Sequence, residues 1–247
     1  MMISRDNRLP LYFQLKQAIQ ERVDDGGLKP GDKIPTEAEL QGSYGLSRTT
    51  VRLALRELEL EGVLTRVQGK GTFVAEPKIQ LLPRNLMSFT EEMQSASLDP
   101  GRVVLSLTRQ LPSKRVSGLL LLQAGEMVHR VEQVRTGNGE PIGLHVGYLP
   151  VKYVPELSEE ILRERSLYEY LESHVGLRFA GATERVEATL ADGRQAEVLG
   201  VAKGAPLLLI NRVTYLSNGA PGELVMMYNR ADRYAYTSIL GPRLRVR

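Results

Sequence analysis

The chain has no cysteine, which rules out a disulfide framework, a thiol nucleophile and any zinc site built on thiolates. Histidine is nearly as scarce: His129, His145 and His174 stand too far apart for a helix-borne metal pair. Neither a metal nor a cofactor is expected. Long apolar runs are also missing. Stretches such as 119–122 fall far short of the roughly 18 residues that cross a bilayer, and no signal-peptide h-region opens the chain. The expectation is a soluble cytoplasmic protein with no membrane partner. A bulk charge of one sign is lacking where it would matter most. Residues 1–76 hold eleven Lys/Arg and eleven Asp/Glu, so the net charge of +3 comes entirely from residues 77–247. Binding to nucleic acid must therefore be argued from local clustering.

What remains is a globular mixture, 42% hydrophobic and 25% charged, which argues against disorder over the 247 residues. That length has room for two modest domains. Leu11, Leu15, Ile19 and Val23 recur every four residues and predict an amphipathic helix that stops at Gly26-Gly27. After the turn Lys29-Pro30-Gly31-Asp32, Thr36-Glu37-Ala38-Glu39 has the form of a capping box. The helix it starts is short, interrupted by Gly42 and Gly45. Ser47 is placed to cap a third helix that runs to about Glu61, with Gly62 at its end. Two short β runs, 63–67 and 72–75, then flank Gln68-Gly69-Lys70-Gly71. Helices, a turn, a helix and a hairpin follow in the order of a winged helix-turn-helix.

Residues 47–56 hold three arginines and no acid. At 100° per residue, Val51, Leu55 and Leu58 form one stripe, and Arg48, Arg52 and Arg56 a second beside it. One face packs on the domain while the other suits a major groove, where arginine pairs with guanine. Thr49 and Thr50 are suited to a phosphate or a thymine methyl. Arg66 and Lys70 add charge to the hairpin, and Gly69 beside Lys70 permits close backbone approach to DNA. The bland alternative is a solvated basic helix.

The stretch 77–85, with two prolines, reads as a linker between domains 1–76 and 86–247. The second domain contains a weak repeat. Residues 131–146 read as strand, Gly137-Asn138-Gly139-Glu140-Pro141, strand. About 80 residues later, 208–227 read as strand, Ser217-Asn218-Gly219-Ala220-Pro221, strand. Asn-Gly between β-formers is a strong hairpin signal. A Leu-rich helical segment and a glycine turn precede each hairpin, so an antiparallel sheet with packed helices is expected, chance similarity being the alternative.

Several motifs are recognisable. Leu9-Pro10-Leu11-Tyr12, the run from Leu28 to Glu37, Gly45-Leu46-Ser47-Arg48-Thr49-Thr50-Val51-Arg52 and Gln68-Gly69-Lys70-Gly71-Thr72-Phe73-Val74 resemble the GntR family of bacterial transcription factors. The resemblance implies DNA contacts by Arg48, Thr49, Thr50 and Arg52, with Gly69 in the wing. Ala38 stands where that family usually has a phosphate-gripping arginine, which implies weaker binding with unchanged sequence preference.

Further on, Ser88-Phe89-Thr90-Glu91-Glu92-Met93, Arg135, Gly139-Glu140-Pro141, Tyr148-Leu149-Pro150, Ser166-Leu167-Tyr168, Arg212, Glu223 and the run from Arg230 to Tyr234 resemble the UTRA effector domain of the HutC subfamily. The implied fold class is α+β: a winged helix-turn-helix joined to an antiparallel-sheet, chorismate-lyase-like domain. The implied function is an effector-responsive regulator, usually a repressor, that reads an inverted-repeat operator in double-stranded DNA as a homodimer.

Ser88-x-x-Glu91 and Ser166-x-x-Glu169 both read as capping boxes whose helix starts suit an anion. By resemblance, Ser88, Phe89, Thr90, Ser166, Tyr168 and Arg135 surround a phosphate. Gln133 replaces a second arginine, His145 replaces an acidic sugar ligand, and Glu223 and Tyr228 keep sugar-side positions. A phosphorylated sugar is the leading effector class. A carboxylate with His145 as its partner comes next. Ser88 and Ser166 as plain caps, His145 as a satisfied sheet histidine, and Tyr168 and Tyr228 as core aromatics stay open. Arg243, Arg245 and Arg247 read as a solvated tail. Two other functions compete: a constitutive DNA-binding dimer, and a small-anion enzyme with a DNA-binding passenger, which no catalytic motif favours.

Overall fold

The computed structural model describes residues 3–4, 9–67, 69–76, 78–81 and 87–237. Gln68, most of the expected linker and the arginine-rich tail 243–247 lie outside the described residues. The chain divides into two compact units, Met1–Pro77 and Lys78–Arg247.

In the first unit α1 (Leu11–Asp24), α2 (Glu37–Tyr44) and α3 (Arg48–Leu60) precede β1 (Leu64–Val67) and β2 (Gly71–Val74). The caps are those expected. Thr36 and Glu39 form a reciprocal capping box, and Ser47 Oγ accepts from Thr50 N at 3.2 Å. Gly45 ends α2 in the left-handed region, whereas Gly42 lies inside the helix and does not break it. Leu15 and Ile19 of α1 pack on Val51, Leu55 and Leu58 of α3, closed by Ile34, Leu40, Leu64 and Val74. Each such buried side chain contributes roughly 1.5–3 kcal/mol. β1 and β2 pair antiparallel, and Ile34 N donates to Thr72 O at 3.0 Å, adding a short third segment to the wing. Gly71 is required there: its φ is +130°, and a Cβ would sit 2.6 Å from Lys33 Cε.

The second unit contains β3 (Ile79–Leu81), α4 (Phe89–Ser95), β4 (Pro100–Gln110), α5 (Lys114–Leu119), β5 (Val128–Gly137), β6 (Glu140–Pro150), α6 (Glu159–Glu164) and α7 (Leu167–Ser173). It continues with β7 (Phe179–Leu190), α8 (Gly193–Leu199), β8 (Pro206–Leu216), β9 (Pro221–Arg230) and β10 (Tyr234–Tyr236). One six-stranded antiparallel sheet has the order β4-β5-β6-β9-β8-β7. The repeat is visible in that order, since β4-α5-β5-β6 and β7-α8-β8-β9 meet head to head along β6 and β9. The sequence reading joined a helix to a hairpin; the structure adds an outer strand to each repeat. Asn138 and Gly139 turn the first hairpin with φ of 52° and 81°, the conformation Asn-Gly favours.

Alternation decides which side chains face where. Val116 and Leu120 of α5 pack with Val128, Val213 and Leu224, while Ala196 and Leu199 of α8 pack with Val134, Leu144 and Leu207. The opposite face receives α4, through Phe89 and Met93 against Ile210 and Met227. It also receives α6 and α7, through Leu162, Leu167 and Leu171 against Val131 and Leu149. Within the stretch 77–85 read as linker, Ile79–Leu81 instead pair in parallel with β10, Ile79 N donating to Arg233 O at 2.7 Å. Ile79 is buried beside Phe89 and Tyr234, and that burial anchors the strand.

Candidate functional site

The first unit presents a basic surface. Arg48, Arg52 and Arg56 are exposed along α3, in a stripe beside the buried Val51, Ala54, Leu55 and Leu58. Thr49 is exposed. Thr50 is half-buried, its Oγ1 2.8 Å from Ser47 Oγ, so this hydroxyl also serves the helix cap. Glu37 on α2 holds Arg48 at 3.6 Å and Arg66 of β1 at 3.5 Å. These arginine side chains are 73% and 62% exposed, so both pairs are weak and yield readily to a phosphate. Gly69, with φ of 76°, and Lys70 stand exposed at the wing tip. Ala38 is exposed on α2.

In the second unit a pocket opens between the sheet and the starts of α4 and α7. Nine of the residues expected at an effector site line it: Ser88, Phe89, Thr90, Gln133, Arg135, His145, Ser166, Tyr168 and Glu223. Strand parity assembles them, with Gln133 and Arg135 two apart on β5, His145 opposite Gln133 on β6, and Glu223 on β9.

Tyr228 is the exception and is corrected. It lies five residues after Glu223, an odd spacing that turns it to the other face of β9, among Val134, Leu144 and Leu199. Ser166 also departs from its expected role, because it makes no capping hydrogen bond. The chain passes from α6 to α7 through only Arg165 and Ser166, and Ser166 takes ψ of 132°, against 159° at Ser88. Ser88 does cap. Its Oγ–H and its N–H both donate to Glu91 Oε2 at 2.7 Å, and Glu91 N donates back to Oγ at 3.3 Å.

The charges in the pocket are unequal in their partners. Arg135 has its guanidinium carbon 5.1 Å from the Phe89 ring centroid, and its buried Nε lacks any hydrogen-bond partner. Burial first, then the nearby Arg102, lowers Arg135 to about 10, while Glu223 opposes the shift. Glu223 is 1% exposed. Burial raises its carboxyl, while the Tyr168 hydroxyl, donating to Oε2 at 2.7 Å, and then Arg212 and Arg135 pull it down. Tyr168 oxygen also lies 3.1 Å from Thr214 Oγ1.

His145 is buried and held at about 3, chiefly by desolvation and then by Arg135. The ring is therefore neutral, and its Nε2–H donates to Asn229 Oδ1 at 3.2 Å. It supplies no positive charge of its own near neutral pH.

Two pocket charges were missed as site residues. Arg212 donates through Nε to Glu184 Oε1 at 2.6 Å and through Nη1 to Met87 O at 3.3 Å. Glu92 is raised to about 7, first by burial, with Arg212 opposing and Glu184 adding to it. The signals were present: Arg212 falls in register with Leu208 and Ile210 on β8, and Glu92 lies one helical turn beyond Phe89 on α4.

The chain was compared with known proteins. The bacterial regulatory proteins of the gntR family match residues 11–74, and the UTRA domain matches residues 95–235. The HTH-type transcriptional repressor NagR of Bacillus subtilis (strain 168) is 33% identical over 236 residues, 96% of this chain and 97% of that protein. The HTH-type transcriptional repressor PhnF of Mycolicibacterium smegmatis is 33% identical over 93% of each chain. The crystal structure of PhnF from Mycobacterium smegmatis matches with a TM-score of 0.66 at 31% identity, over 92% of this chain and 99% of that one.

Proposed function

The chain belongs to the gntR family of bacterial regulatory proteins, with a winged helix-turn-helix followed by a UTRA domain, and from that premise we propose a repressor released from DNA by a small anionic metabolite. It is a ligand-responsive transcription regulator and not an enzyme, as its relatives are transcriptional repressors. In this reading it works in the cytoplasm as a homodimer on an inverted-repeat operator, two recognition helices entering successive major grooves. Arg48, Thr49, Thr50 and Arg52 reach the groove, and Arg66, Gly69 and Lys70 approach the backbone. Residues 1–76 form the DNA-binding domain and 86–247 the effector and dimerisation domain, to which β3 (Ile79–Leu81) is tied through β10.

One observation carries the effector class: Arg135, a guanidinium in a half-enclosed pocket with a buried, unpartnered Nε. A buried donor left unsatisfied costs roughly 1–3 kcal/mol, and an oxyanion removes that cost with charge-assisted bonds. A phosphorylated sugar fits best, its phosphate at Arg135 and its hydroxyls toward Glu223. A carboxylate is second. The ligand acts by favouring one of two arrangements of the DNA-binding domains, since it shifts an equilibrium only through differential affinity.

The test is a thermal-shift panel of hexose 6-phosphates, their free hexoses and small carboxylates, followed by DNA binding with any hit. A ligand at a hundred times its Kd adds about 2.7 kcal/mol, or roughly 5–10 °C for a chain of this size. A shift with the phosphate ester but not the free sugar, together with lost operator affinity, supports the reading. Loss of the shift in Arg135→Ala places the anion at Arg135. A response to carboxylates alone replaces the phosphate, and a ligand that binds without changing operator affinity favours the constitutive DNA-binding dimer.

A further inference from the structure

We propose that Arg102 is the second cation of the effector pocket, holding a bound anion together with Arg135 across the β4–β5 ladder. This inference rests on the reading of Arg135 as an anion seat.

Arg102 and Arg135 are direct register partners on adjacent antiparallel strands, so both side chains leave the same face of the sheet. Like charges placed directly opposite one another destabilise a sheet, and here Arg135 lines the pocket while Arg102 is half-buried beside it on the outer strand, where burial weakens screening by water. Arg135 records the repulsion, being lowered first by burial and then by Arg102. No carboxylate among the described residues forms an ion pair with either guanidinium. Glu223 favours the charged form of Arg135 from a distance, and Glu169 does the same for Arg102. A bound anion converts the repulsion into two attractions.

β5 itself supplies no second arginine on this face, where its other polar residues are Gln133, buried two positions before Arg135, and His129, whose Nε2 lies 2.8 Å from Val154 O. Arg102 does not itself line the pocket but reaches the end of α6 beside it. Its Nη1 donates to the carbonyls of Leu162, at 3.3 Å, and Arg165. Ser166, the next residue, lines the pocket. One terminal nitrogen of Arg102 is thus committed to the end of α6, which leaves the rest of the fork and the full charge for an anion.

A purely structural role, in which Arg102 only caps the α6 carbonyls, predicts different behaviour, and inorganic phosphate as the probe separates the two. Phosphate affinity of the full chain is measured by calorimetry at low ionic strength for the wild type, Arg102→Gln, Arg102→Lys, Arg135→Gln and the double variant Arg102→Gln/Gln133→Arg. Thermal melts without phosphate check the folding of each. Arg102→Gln is expected to weaken phosphate binding about fivefold to tenfold. Arg102→Lys should fall between the wild type and Arg102→Gln, since the charge is kept and the planar fork is lost. Gln133→Arg should recover most of the loss in the Arg102→Gln background, as it restores a guanidinium on that face without restoring the cap.

Wild-type affinity in Arg102→Gln, with binding lost in Arg135→Gln, overturns the role of Arg102 and leaves the pocket reading intact. Equal losses in Arg102→Gln and Arg102→Lys, or no recovery in the double variant, reduce Arg102 to a helix cap. Phosphate binding that survives Arg135→Gln, or that is absent from the wild type, overturns the pocket reading and this inference together.

Discussion

Glu92 shows how one buried carboxyl links stability to pH. Its folded value of about 7 lies above the ordinary 4.5, so the folded chain holds the proton more tightly than the unfolded one. Stability is therefore lost as pH rises from about 4.5 to about 7, where the unfolded state has already released its proton. Glu92→Gln keeps the shape and removes the ionisation. The melting temperature of the variant should match the wild type near pH 4.5 and exceed it by several degrees at pH 8. A gap that does not change with pH would mean that Glu92 titrates as it does in water. His145 has the opposite sign: with a folded value of about 3 against 6.5, it costs stability as pH falls through that interval. Residue by residue, the site was only partly legible in the sequence. Arg135 and Glu223 were identified from motif positions, but Tyr228 was misplaced because a motif match carries no strand parity. Glu92 and Arg212 were quoted as motif residues without a role, since they act on each other and on Glu184 across long separations in the sequence.

At the scale of elements, α3 is the clearest case of local sequence becoming function. Its Ser47 cap, buried stripe and arginine stripe follow from spacing within 14 residues (47–60). Arg52 is exposed and carries no ion pair among the described residues, so Arg52→Ala should remove operator binding while the melt stays unchanged. Fluorescence anisotropy on an operator selected from random duplexes checks this; wild-type affinity would disprove the recognition-helix reading. Ala38→Arg makes a complementary case on α2. An added phosphate contact should tighten binding to all duplexes alike and steepen the salt slope by about 0.9, so a gain confined to the operator would count against a phosphate role. Other elements were hidden for physical reasons. β4 is an outer strand whose register shifts between Val104 and Ser106, and such a bulge breaks the two-residue period that marks a strand. β3 pairs with β10, about 155 residues away, and no local pattern announces a partner at that separation. The Ser166 start of α7 failed as a capping box because the end of α6 sets its backbone.

At the scale of the effector unit, the two repeats meet along a short seam. β6 and β9 share six register pairs, against nine to eleven in the other ladders of the sheet. The pocket straddles this seam, drawing Gln133, Arg135 and His145 from the first repeat and Arg212, Glu223 and Met227 from the second. A molecule seated there braces both halves, and local opening at the seam becomes rarer by the free energy of binding. Hydrogen exchange should therefore slow most in residues 143–148 and 224–229 when phosphate or a hexose 6-phosphate is added. Slowing confined to the wing hairpin, or none at all, would rule out a ligand at the seam.

The head-to-head sheet has a consequence for how the ligand preference of such a regulator can change. The sheet's share of the pocket is written in two hairpins, β5–β6 with Gln133, Arg135 and His145, and β8–β9 with Arg212 and Glu223. Substitutions at 133 and 145 can retune one end while Glu223 and Arg212 keep the other, so a duplicated scaffold works as a two-word lock in which either word can be rewritten alone.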